Sequence, residues 1–257
     1  MPTGIGAGIA GQVFTEPHSS AVATCPTAYS CSYDGVAEAQ QGSAVPSFGT
    51  SDFSISFWFK TPDTTGGGTN QRLLGHFGGT TQWTIYLVGT GSGAGRLQWV
   101  STGTGSWNDN YNTFTPANNT WYHAVYSVDR SGDAIWYYNG ANPNSFTVSG
   151  SGINFGTDGT FYVSRNPTGQ YFEGNLTEIS MWNKALTAGE VLELYNNMAG
   201  DEKCLGDLSM GANLTNWWRM FNPSGAYVDP IPNAASGGTI TLTNSNMDAT
   251  NVSTDVP

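Results

Sequence analysis

An alternation with a period of two residues, between positions 51 and 60, constrains the fold of this chain more than any other feature of the sequence. In the stretch SDFSISFWFK, every second residue is large and apolar. The apolar positions are Phe53, Ile55, Phe57 and Phe59, and the positions between and after them are Ser54, Ser56, Trp58 and Lys60. Because successive side chains of a β-strand point to opposite faces, this spacing predicts a strand with one buried face.

Similar strand signals recur along the chain, at 82–89, 95–101, 121–129, 160–165 and 171–182. The sequence also contains 34 Gly beside 9 Trp, 12 Tyr and 12 Phe. Glycine supplies turns, and aromatic side chains favour strands. These features predict an all-β sandwich or barrel, and 257 residues is a suitable length for one such domain.

Turn signals predict how some of these strands are connected. The Gly-rich stretch GTGSGAG separates 82–89 from 95–101, and the pair reads as a hairpin. Asn139-Gly140, which follows AIWYY, is typical of a type I′ turn. Segment 121–129 is apolar on both faces, which favours a central strand.

Two patterns mark the region around residue 180. The apolar spacing of 171–182 slips between Leu176 and Ile179, which predicts a bulge or bend at Thr177-Glu178. A helix is expected after it. Its signals are Thr187 as N-cap with Glu190 in a capping box, Leu186 and Val191 as a hydrophobic staple, and an end near Asn196-Asn197.

The charge balance excludes one broad class of partner. Eight Lys+Arg against 19 Asp+Glu give a formal net charge of −11, so the chain lacks the basic face that nucleic-acid binding requires. It has no apolar run long enough to predict a membrane span. No Lys or Arg precedes the small-residue stretch in residues 1–15, so we expect no secretory signal.

The three cysteines do not predict a metal site. Cys25, Cys31 and Cys204 are too few and too widely spaced for zinc. We interpret them as three free or buried thiols. The alternative is a Cys25–Cys31 disulfide that leaves one cysteine unpaired.

Several longer stretches point to a known family. They are SYDGVAEAQ leading into SFGTSDFSISFWFKTP, TWYHAVYSVDRSGDAIWYYNG, FYVSR, and FEGNLTEISMWNKALTAGEVLELYN, which is the most specific. Over residues 32–195 the chain resembles the laminin-G-like branch of the concanavalin A-like lectins. The resemblance implies an all-β, two-sheet jelly-roll sandwich with one short helix on its C-terminal side.

The ends of the chain complete this domain picture. Residues 1–31 show no periodicity and are expected to form an irregular arm before a single domain at 32–257. The block LTNWWRMFNPSGAYVDPIPNAASGGTITLTN resembles a segment that precedes the domain in many family members. We therefore expect residues 201–245 to fold back and complete the sandwich, as in a circular permutation.

The C-terminal MDATNVSTDVP resembles the ends of structural proteins of marine bacteriophages. This resemblance implies a non-enzymatic virion protein, a lectin-like knob on the outer surface that decorates the capsid or belongs to the tail. Its partners would be a major capsid or tail protein, with neither nucleic acid nor membrane bound, and a homo-oligomer is compatible with a knob. Adhesion to host-surface or environmental glycans fits the same module. The alternative is a free or cell-surface carbohydrate-binding lectin.

The loop at 102–119 is the candidate carbohydrate site. It carries Trp107, Asn108, Asp109 and Tyr111 in a polar, Gly-rich context. Aromatic faces stack on sugars, and amide or carboxylate groups bind sugar hydroxyls. The alternative is that Trp107 and Tyr111 fold over the edge of the sandwich.

The family resemblance also implies a calcium site at the rim of the sandwich, formed by oxygen ligands. The first position, an Asp in the family, is Thr177 here, beside Glu178. The second, an Asp-rich turn, survives as Asp229 and Asn233. We expect Ca²⁺ at Glu178, Asp229 and Asn233 on this basis, and the alternative is that these are ordinary turn residues.

Glycoside hydrolysis is the third and least favoured function. It needs two carboxyl groups that flank the scissile bond. The nearest pair in sequence, Glu173 and Glu178, falls on opposite parities of one strand across the expected bulge. His123 lies between Trp121 and Val125 and is predicted to be a buried sheet histidine rather than a catalytic base.

Overall fold

The alternating segment at residue 53 is the third strand of a two-sheet sandwich. The computed structural model describes residues 25, 27–109, 113–149, 151–197, 203–221 and 224–257. Within these residues the strands are β1 (Ser30–Asp34), β2 (Ala39–Gly42), β3 (Phe53–Lys60), β4 (Gln71–Phe77), β5 (Gln82–Leu87), β6 (Leu97–Thr102), β7 (Tyr122–Val128), β8 (Asp133–Tyr138), β9 (Ala141–Thr147), β10 (Thr160–Val163), β11 (Glu173–Trp182), β12 (Leu214–Trp218), β13 (Leu242–Ser245) and β14 (Val252–Ser253).

These strands pair into two antiparallel sheets. In the described parts of the chain, the larger sheet has eight strands in the order β14-β1-β11-β3-β7-β8-β9, with β12 also beside β11. The smaller sheet has six, in the order β13-β2-β10-β4-β5-β6. One α-helix, α1 (Ala188–Asn196), follows β11. The predicted all-β jelly-roll sandwich with a short C-terminal-side helix is confirmed.

The turn predictions are also confirmed. Strands β5 and β6 pair as a hairpin, from Gln82 opposite Thr102 to Leu87 opposite Leu97. Asn139 has φ 48° and Gly140 has φ 75°. A type I′ turn requires positive φ at both central residues, so this pair joins β8 to β9 as the sequence predicts.

Strand β11 carries the predicted bulge. It pairs with β3 along one side, and on its other side with β1 as far as Leu176 and with β12 from Ile179 onward. The ladder with β3 shifts between Thr177 and Ser180, and Glu178 has φ 51°. The bulge therefore places Glu178 where one neighbouring strand ends and the next begins.

A large aromatic core fills the space between the sheets. Phe53, Trp83, Trp99 and Trp136 are each at most 1% exposed, and the rings of Trp83 and Trp99 stack with centroids 5.2 Å apart. Stacked and edge-on aromatic pairs add to the free energy gained from burial alone.

A second apolar cluster covers the outer face of the larger sheet. Val191 and Leu194 of α1 pack there with Leu205 and Trp217. The prediction that β3 exposes one face is therefore wrong, since Ser54, Ser56 and Trp58 are buried as well. A serine on this face can be buried because the neighbouring backbone forms hydrogen bonds with its hydroxyl group, as Ser54 shows. Ser54 Oγ donates to the Lys184 carbonyl at 2.8 Å and accepts from the Leu186 N–H at 2.9 Å.

Helix α1 begins as the sequence predicts. Thr187 and Glu190 form a reciprocal capping box, and Leu186 and Val191 are both buried. The helix ends at Asn196, and its apolar face packs in the second cluster.

The N-terminal boundary and the cysteine interpretation need correction. Strand β1 begins at Ser30, and Cys31 is fully buried in the core, so the predicted arm does not extend to residue 31. Cys25 forms a disulfide with Cys204, and Cys31 is the free cysteine. Both the three-thiol interpretation and the Cys25–Cys31 alternative are wrong, because the fold brings Cys25 next to a residue 179 positions away. Residues 1–24 and 26 lie outside the described residues.

The C-terminal segment contributes strands to both sheets. β12 pairs with β11 and β14 with β1 in the larger sheet, and β13 pairs with β2 at the edge of the smaller sheet. In the part of the chain that the structure describes, no helix has the length and apolar character needed to cross a membrane.

Candidate functional site

An open cleft lies at the end of the sandwich where β1 ends, β4 begins and β11 begins. Its volume is about 460 Å³. We call it the rim cleft and define it by Asp34, Asp63, Gln71, Gln170, Tyr171 and Glu173. These side chains come from four separate stretches of sequence that the two sheets bring to one end.

The turn after β1 positions the first carboxylate. The N–H groups of Val36 and Ala37 donate to Asp34 Oδ1 at 2.8 and 3.1 Å. Gly35 has φ 76°, and a Cβ at that position would lie 2.9 Å from Glu173 Cβ. Only glycine allows this turn to lie so close to β11. Partial burial raises the pKa of Asp34, but the turn N–H groups outweigh burial, so the pKa lies below its usual value.

The loop between β3 and β4 positions the second carboxylate. Asp63 Oδ1 accepts hydrogen bonds from the hydroxyl and N–H of Thr65 at 2.7 and 2.8 Å, and Oδ2 accepts from the Gly67 N–H at 2.8 Å. These hydrogen bonds, led by the Thr65 hydroxyl, lower the pKa of Asp63. Asp34 and Asp63 are therefore both ionised at neutral pH.

Two glutamines connect the elements around the cleft. Gln71 is 3% exposed; its Nε2 donates to the Asp63 carbonyl at 2.5 Å and its Oε1 accepts from the Glu173 N–H at 3.0 Å. Gln170 Oε1 accepts from Arg72 Nε at 2.9 Å. Among the described residues, no acceptor is bonded to the Gln170 amide N–H groups, which leaves them available to a ligand.

Glu173 lines both the rim cleft and a second cavity of about 270 Å³. That cavity is also lined by Asn119, Asn175, Lys60 and Asp255. Lys60 Nζ and Asp255 Oδ2 form an ion pair 2.6 Å apart. The exposed Glu173 carboxylate accepts no hydrogen bond from any described residue. It is thus a free, strong acceptor placed between two openings.

The residues predicted to bind carbohydrate lie elsewhere, and two of them are part of the core packing. The Trp107 ring packs against Trp99 and Phe155 with centroids 6.0 and 5.5 Å apart, and the Arg130 Cζ lies 5.0 Å from its centroid. Its Nε1 donates to the Tyr126 hydroxyl at 2.9 Å. The ring is half-buried with these contacts, an arrangement that favours the alternative of packing over the sandwich edge.

Asp109 is 2% exposed and faces the interior. Its Oδ1 accepts from the Trp99 N–H at 2.7 Å, and its Oδ2 accepts from the Trp136 indole N–H. Burial raises the pKa of Asp109 to about 7. Asn108 is exposed and accepts from the Ser101 N–H at 3.2 Å. Tyr111 lies outside the described residues. An open sugar site built on Trp107 and Asp109 is therefore not what this geometry favours.

The three residues predicted to bind calcium have separate partners. Glu178 is buried and accepts from the Trp217 indole N–H, from Thr27 Oγ1 at 3.2 Å and from Arg219 Nε at 3.4 Å. Its side chain is 1% exposed, so the carboxylate does not face an open site, and Arg219 already balances its charge.

The other two predicted calcium ligands serve turns. Asp229 Oδ1 accepts from the Asn244 N–H at 2.9 Å. Asn233 Oδ1 accepts from the N–H groups of Trp217 and Ala235, both at 3.0 Å. No cluster of three His, Cys, Asp or Glu side chains suited to a metal occurs among the described residues. The geometry favours the alternative of ordinary turn residues, and bound calcium stays a prediction.

The carboxyl groups with raised pKa values are not in the rim cleft. Burial raises the pKa of Asp109 and of Glu178, and both are interior. Glu173 is exposed, so the Glu173–Glu178 pair does not share a site. His123 is 1% exposed and bonds Ser56 Oγ at 2.8 Å through Nε2, which confirms that it is a buried sheet histidine.

The sequence does not single out the rim-cleft residues as ligands. A weak signal is present, since Asp34-Gly35, Asp63 with Gly66–Gly68, and Gly169-Gln170 are all polar, Gly-rich turns beside strands. Loops of this kind often carry function. Their convergence at one end of the sandwich depends on strand order, which periodicity does not reveal.

Comparisons with known proteins agree with this architecture. A candidate carbohydrate-binding protein from Bacteroides ovatus superposes with a TM-score of 0.61 at 18% identity, over 88% of this chain and 58% of that one. This chain thus spans less than two thirds of the Bacteroides protein. A heptameric SAP-like pentraxin from Limulus polyphemus superposes with a TM-score of 0.50 at 15% identity, over 66% of this chain and 82% of the pentraxin. At these identities the likeness shows the fold alone.

Sequence comparison assigns the family. No curated protein sequence matches the chain. The family model for the concanavalin A-like lectin/glucanases superfamily matches residues 34–192, from the turn that carries Asp34 to helix α1. Because this match covers more than half of the chain, the protein belongs to the concanavalin A-like lectin/glucanases superfamily.

Proposed function

We propose that this protein is a non-enzymatic carbohydrate-binding domain and that its rim cleft binds an uncharged glycan. The observation that carries the proposal is the Glu173 carboxylate, which is exposed between two cavities and engaged by no described residue. Sugar hydroxyls donate readily to such a carboxylate, and the Gln170 amide and the Tyr171 ring add a donor and an apolar surface. The family and the fold shared with the Bacteroides protein support this class of ligand.

The charge of the cleft sets the ligand class. Asp34 and Asp63 hold ionised carboxylates beside Glu173, and no Lys or Arg is among the residues that line the cleft. A carboxylated or sulfated sugar would be repelled there, whereas neutral hydroxyl groups would be bound.

The same charges argue against hydrolysis. A glycosidase needs one carboxylic acid whose pKa is raised so that it can protonate the leaving group. In the rim cleft the pKa values of Asp34 and Asp63 are lowered instead. These two groups are acceptors rather than proton donors at neutral pH.

The test is binding to an array of neutral glycans, in calcium and again in EDTA, followed by calorimetry on the best ligand. We expect Glu173→Gln to weaken binding about tenfold, which corresponds to roughly 1.4 kcal/mol for a lost charge-assisted hydrogen bond. Asp207→Asn is the matched control, because it removes one exposed carboxylate that does not line the cleft. A blank array, or equal affinity of Glu173→Gln and the parent protein, would overturn the proposal. Loss of binding in EDTA would bring back a calcium-assisted site.

We further propose that this carbohydrate-binding domain lies on the outer surface of a virion, which stays a prediction. Its support is the resemblance of the C-terminal residues to phage structural proteins. Asp255 bonds Lys60 and the Trp121 indole N–H, so these C-terminal residues pack on their own sandwich. Residues 1–24 are therefore the better candidate anchor.

Deletion of residues 1–24 tests the anchor while keeping Cys25 and β1. We expect the shortened protein to keep its melting temperature and to be lost from particles made with it. Retention on particles would rule out this segment as the anchor. Binding to whole cells without any particle would favour the alternative of a free or cell-surface lectin, and light scattering of the purified protein would determine whether it is a homo-oligomer.

A further inference from the structure

The outer face of the smaller sheet carries an unusual set of side chains. Tyr162 of β10 lies opposite Gly75 of β4, which lies opposite Thr84 of β5, so the three share one face. The alternate residues Phe161 and Val163 point into the core between the sheets. Tyr162 therefore faces away from the core.

Four aromatic rings lie on or beside this face. The Phe77 ring covers Gly75, where a Cβ would lie 2.4 Å from Phe77 Cε2, and it lies 6.2 Å from the Tyr162 ring. Tyr86 lies opposite Arg72 on the same face. Tyr171 lies beside it, within reach of the Arg165 guanidinium. Tyr86 is buried, whereas Phe77, Tyr162 and Tyr171 are half-buried. Half-buried rings provide flat, partly apolar surfaces of the sort on which pyranose rings stack.

Two arginines lie over these rings. The Arg72 Cζ is 4.0 Å from the centroid of Tyr86. The Arg165 Cζ is 4.9 Å from the centroid of Tyr162 and 6.0 Å from that of Tyr171. Stacking of this kind holds a guanidinium in a defined plane and leaves its N–H groups directed along that plane. We call Arg72, Phe77, Tyr86, Tyr162, Arg165 and Tyr171 the arginine–tyrosine face.

Neither arginine has a carboxylate partner among the described residues. The ion pairs found there involve Lys60, Lys184 and Arg219. Arg165 Nε is buried without a hydrogen-bond acceptor. A partly buried cation is costly unless an anion or other acceptor compensates it.

We propose that the arginine–tyrosine face is a second binding surface, which takes a carboxylate-bearing polysaccharide. The sugar carboxylate pairs with the Arg165 guanidinium, whose planar fork matches a carboxylate in two parallel hydrogen bonds. The pyranose rings lie on Tyr162 and Phe77. The face is distinct from the rim cleft, whose carboxylates repel an anionic sugar, and the two surfaces meet at Tyr171.

The net charge of −11 makes binding of a polyanion a stringent test of this proposal. Nonspecific attraction of a polyanion to this protein is unfavourable, so any binding must come from a local positive site. The probe is polygalacturonate, and its fully methyl-esterified form is the uncharged control with the same rings. We expect affinity for the acid form and at least tenfold weaker binding of the ester.

Two substitutions identify the residue responsible. We expect Arg165→Gln to reduce polygalacturonate affinity at least tenfold and Arg165→Lys to reduce it less, because lysine keeps the charge but lacks the fork. Lys203→Gln is the matched control, since it removes one exposed positive charge elsewhere on the chain and should leave affinity within twofold. Melting temperatures of all three variants confirm that they fold.

The proposal is overturned if polygalacturonate does not bind or if its methyl ester binds equally well. It is also overturned if Arg165→Gln and Lys203→Gln have equal effects, or if only a sulfated polymer such as dextran sulfate binds. Glu173→Gln should leave polygalacturonate affinity unchanged or slightly higher, and Arg165→Gln should leave neutral-glycan binding within twofold. These two variants therefore show whether the proposal for the rim cleft or the proposal for the arginine–tyrosine face has failed.

Discussion

Asp34 lies directly opposite Glu173 in the antiparallel ladder between β1 and β11. Two carboxylates in opposite positions repel each other, and such a pair destabilises a sheet. No described lysine or arginine forms an ion pair with either residue. The fold thus keeps two mutually repelling carboxylates at the rim cleft, where we propose that a glycan binds. Residues that lower stability are common at functional sites.

Neutralising this pair should separate stability from binding. We expect Glu173→Gln to raise the free energy of unfolding by about 0.2–1 kcal/mol while it weakens glycan binding. The gain should shrink at high salt, because salt screens exposed charges. Urea unfolding at two salt concentrations measures both effects, with Asp207→Asn as control. A destabilised Glu173→Gln variant would contradict this interpretation of the pair.

The buried Asp109 should make stability depend on pH. The folded carboxyl keeps its proton up to about pH 7, whereas the unfolded one releases it near its ordinary pKa of about 3.9. The folded state therefore binds more protons between these values, and this contribution to stability falls as pH rises toward 7. The loss is roughly 1.4 kcal/mol for each unit of pKa shift.

Asp109→Asn isolates this contribution. His123, whose pKa burial lowers to about 3, changes stability in the opposite direction up to about pH 6.5 and is present in both proteins. The difference in unfolding free energy, parent minus variant, should therefore fall between pH 5 and pH 7.5. Urea unfolding across this range measures it, and a constant difference would show that Asp109 does not titrate there.

Gly174 allows β11 to approach β3 closely. It has φ 137°, and a Cβ there would lie 2.1 Å from the Lys60 carbonyl oxygen. We expect Gly174→Ala to destabilise the protein by at least about 1–3 kcal/mol. Gly189→Ala is the control, since a Cβ at this position of α1 contacts nothing within 4 Å and should stabilise by about 0.4–1 kcal/mol. Thermal melting of the two variants compares them, and equal melting temperatures would refute the argument.

Glu178 and Arg219 form a buried pair at the β11 bulge, with side chains 1% and 15% exposed. Burial raises the pKa of Glu178, and the nearby guanidinium partly counters this rise. Arg219→Met should destabilise by about 3–5 kcal/mol, because it leaves an uncompensated carboxylate inside. The loss of unfolding free energy should grow as pH rises. Without Arg219, the buried Glu178 carboxyl is stable only in its protonated form, and higher pH favours the ionised form in the unfolded chain. The double variant with Glu178→Gln should recover much of the loss, and a double variant no more stable than Arg219→Met would argue against this coupling.

The Cys25–Cys204 disulfide predicts a specific thiol count. The native oxidised protein should expose no reactive thiol, because Cys31 is fully buried and burial raises its pKa to about 12. Unfolding without reductant should release one thiol, and unfolding with reductant should release three. Reduction should also lower stability by about 2–5 kcal/mol. Three thiols in the unreduced, unfolded protein would show that the bond is absent.

Local features of the fold follow from residues close together in sequence. The strand at Phe53, the Asn139-Gly140 turn and the Thr187 capping box each depend on side chains within a few positions of one another. The slip in spacing between Leu176 and Ile179 likewise predicts the bulge at Glu178. Backbone geometry and short-range hydrogen bonds determine such features, so an alternating pattern or a cap is enough to predict them.

Other features depend on residues far apart in sequence. Trp107 lies in a loop, as the sequence indicates, but only the structure shows that its ring packs on Trp99 and Phe155. The outer face of β3 looks exposed because its residues are Ser54, Ser56 and Trp58, yet a helix and a C-terminal segment cover it. Serine is buried at little cost when a neighbouring backbone satisfies its hydroxyl, and no local pattern reveals that neighbour.

By itself, the sequence therefore determined several of the strands, two of the turns, the helix and the family, since these depend on spacing along the chain. Only the tertiary structure decided that Cys25 meets Cys204, that Asp34 faces Glu173, and that Glu178 pairs with Arg219. The physical reason is that these pairs are distant in sequence, and their contact depends on strand order and on the packing of two sheets around one core.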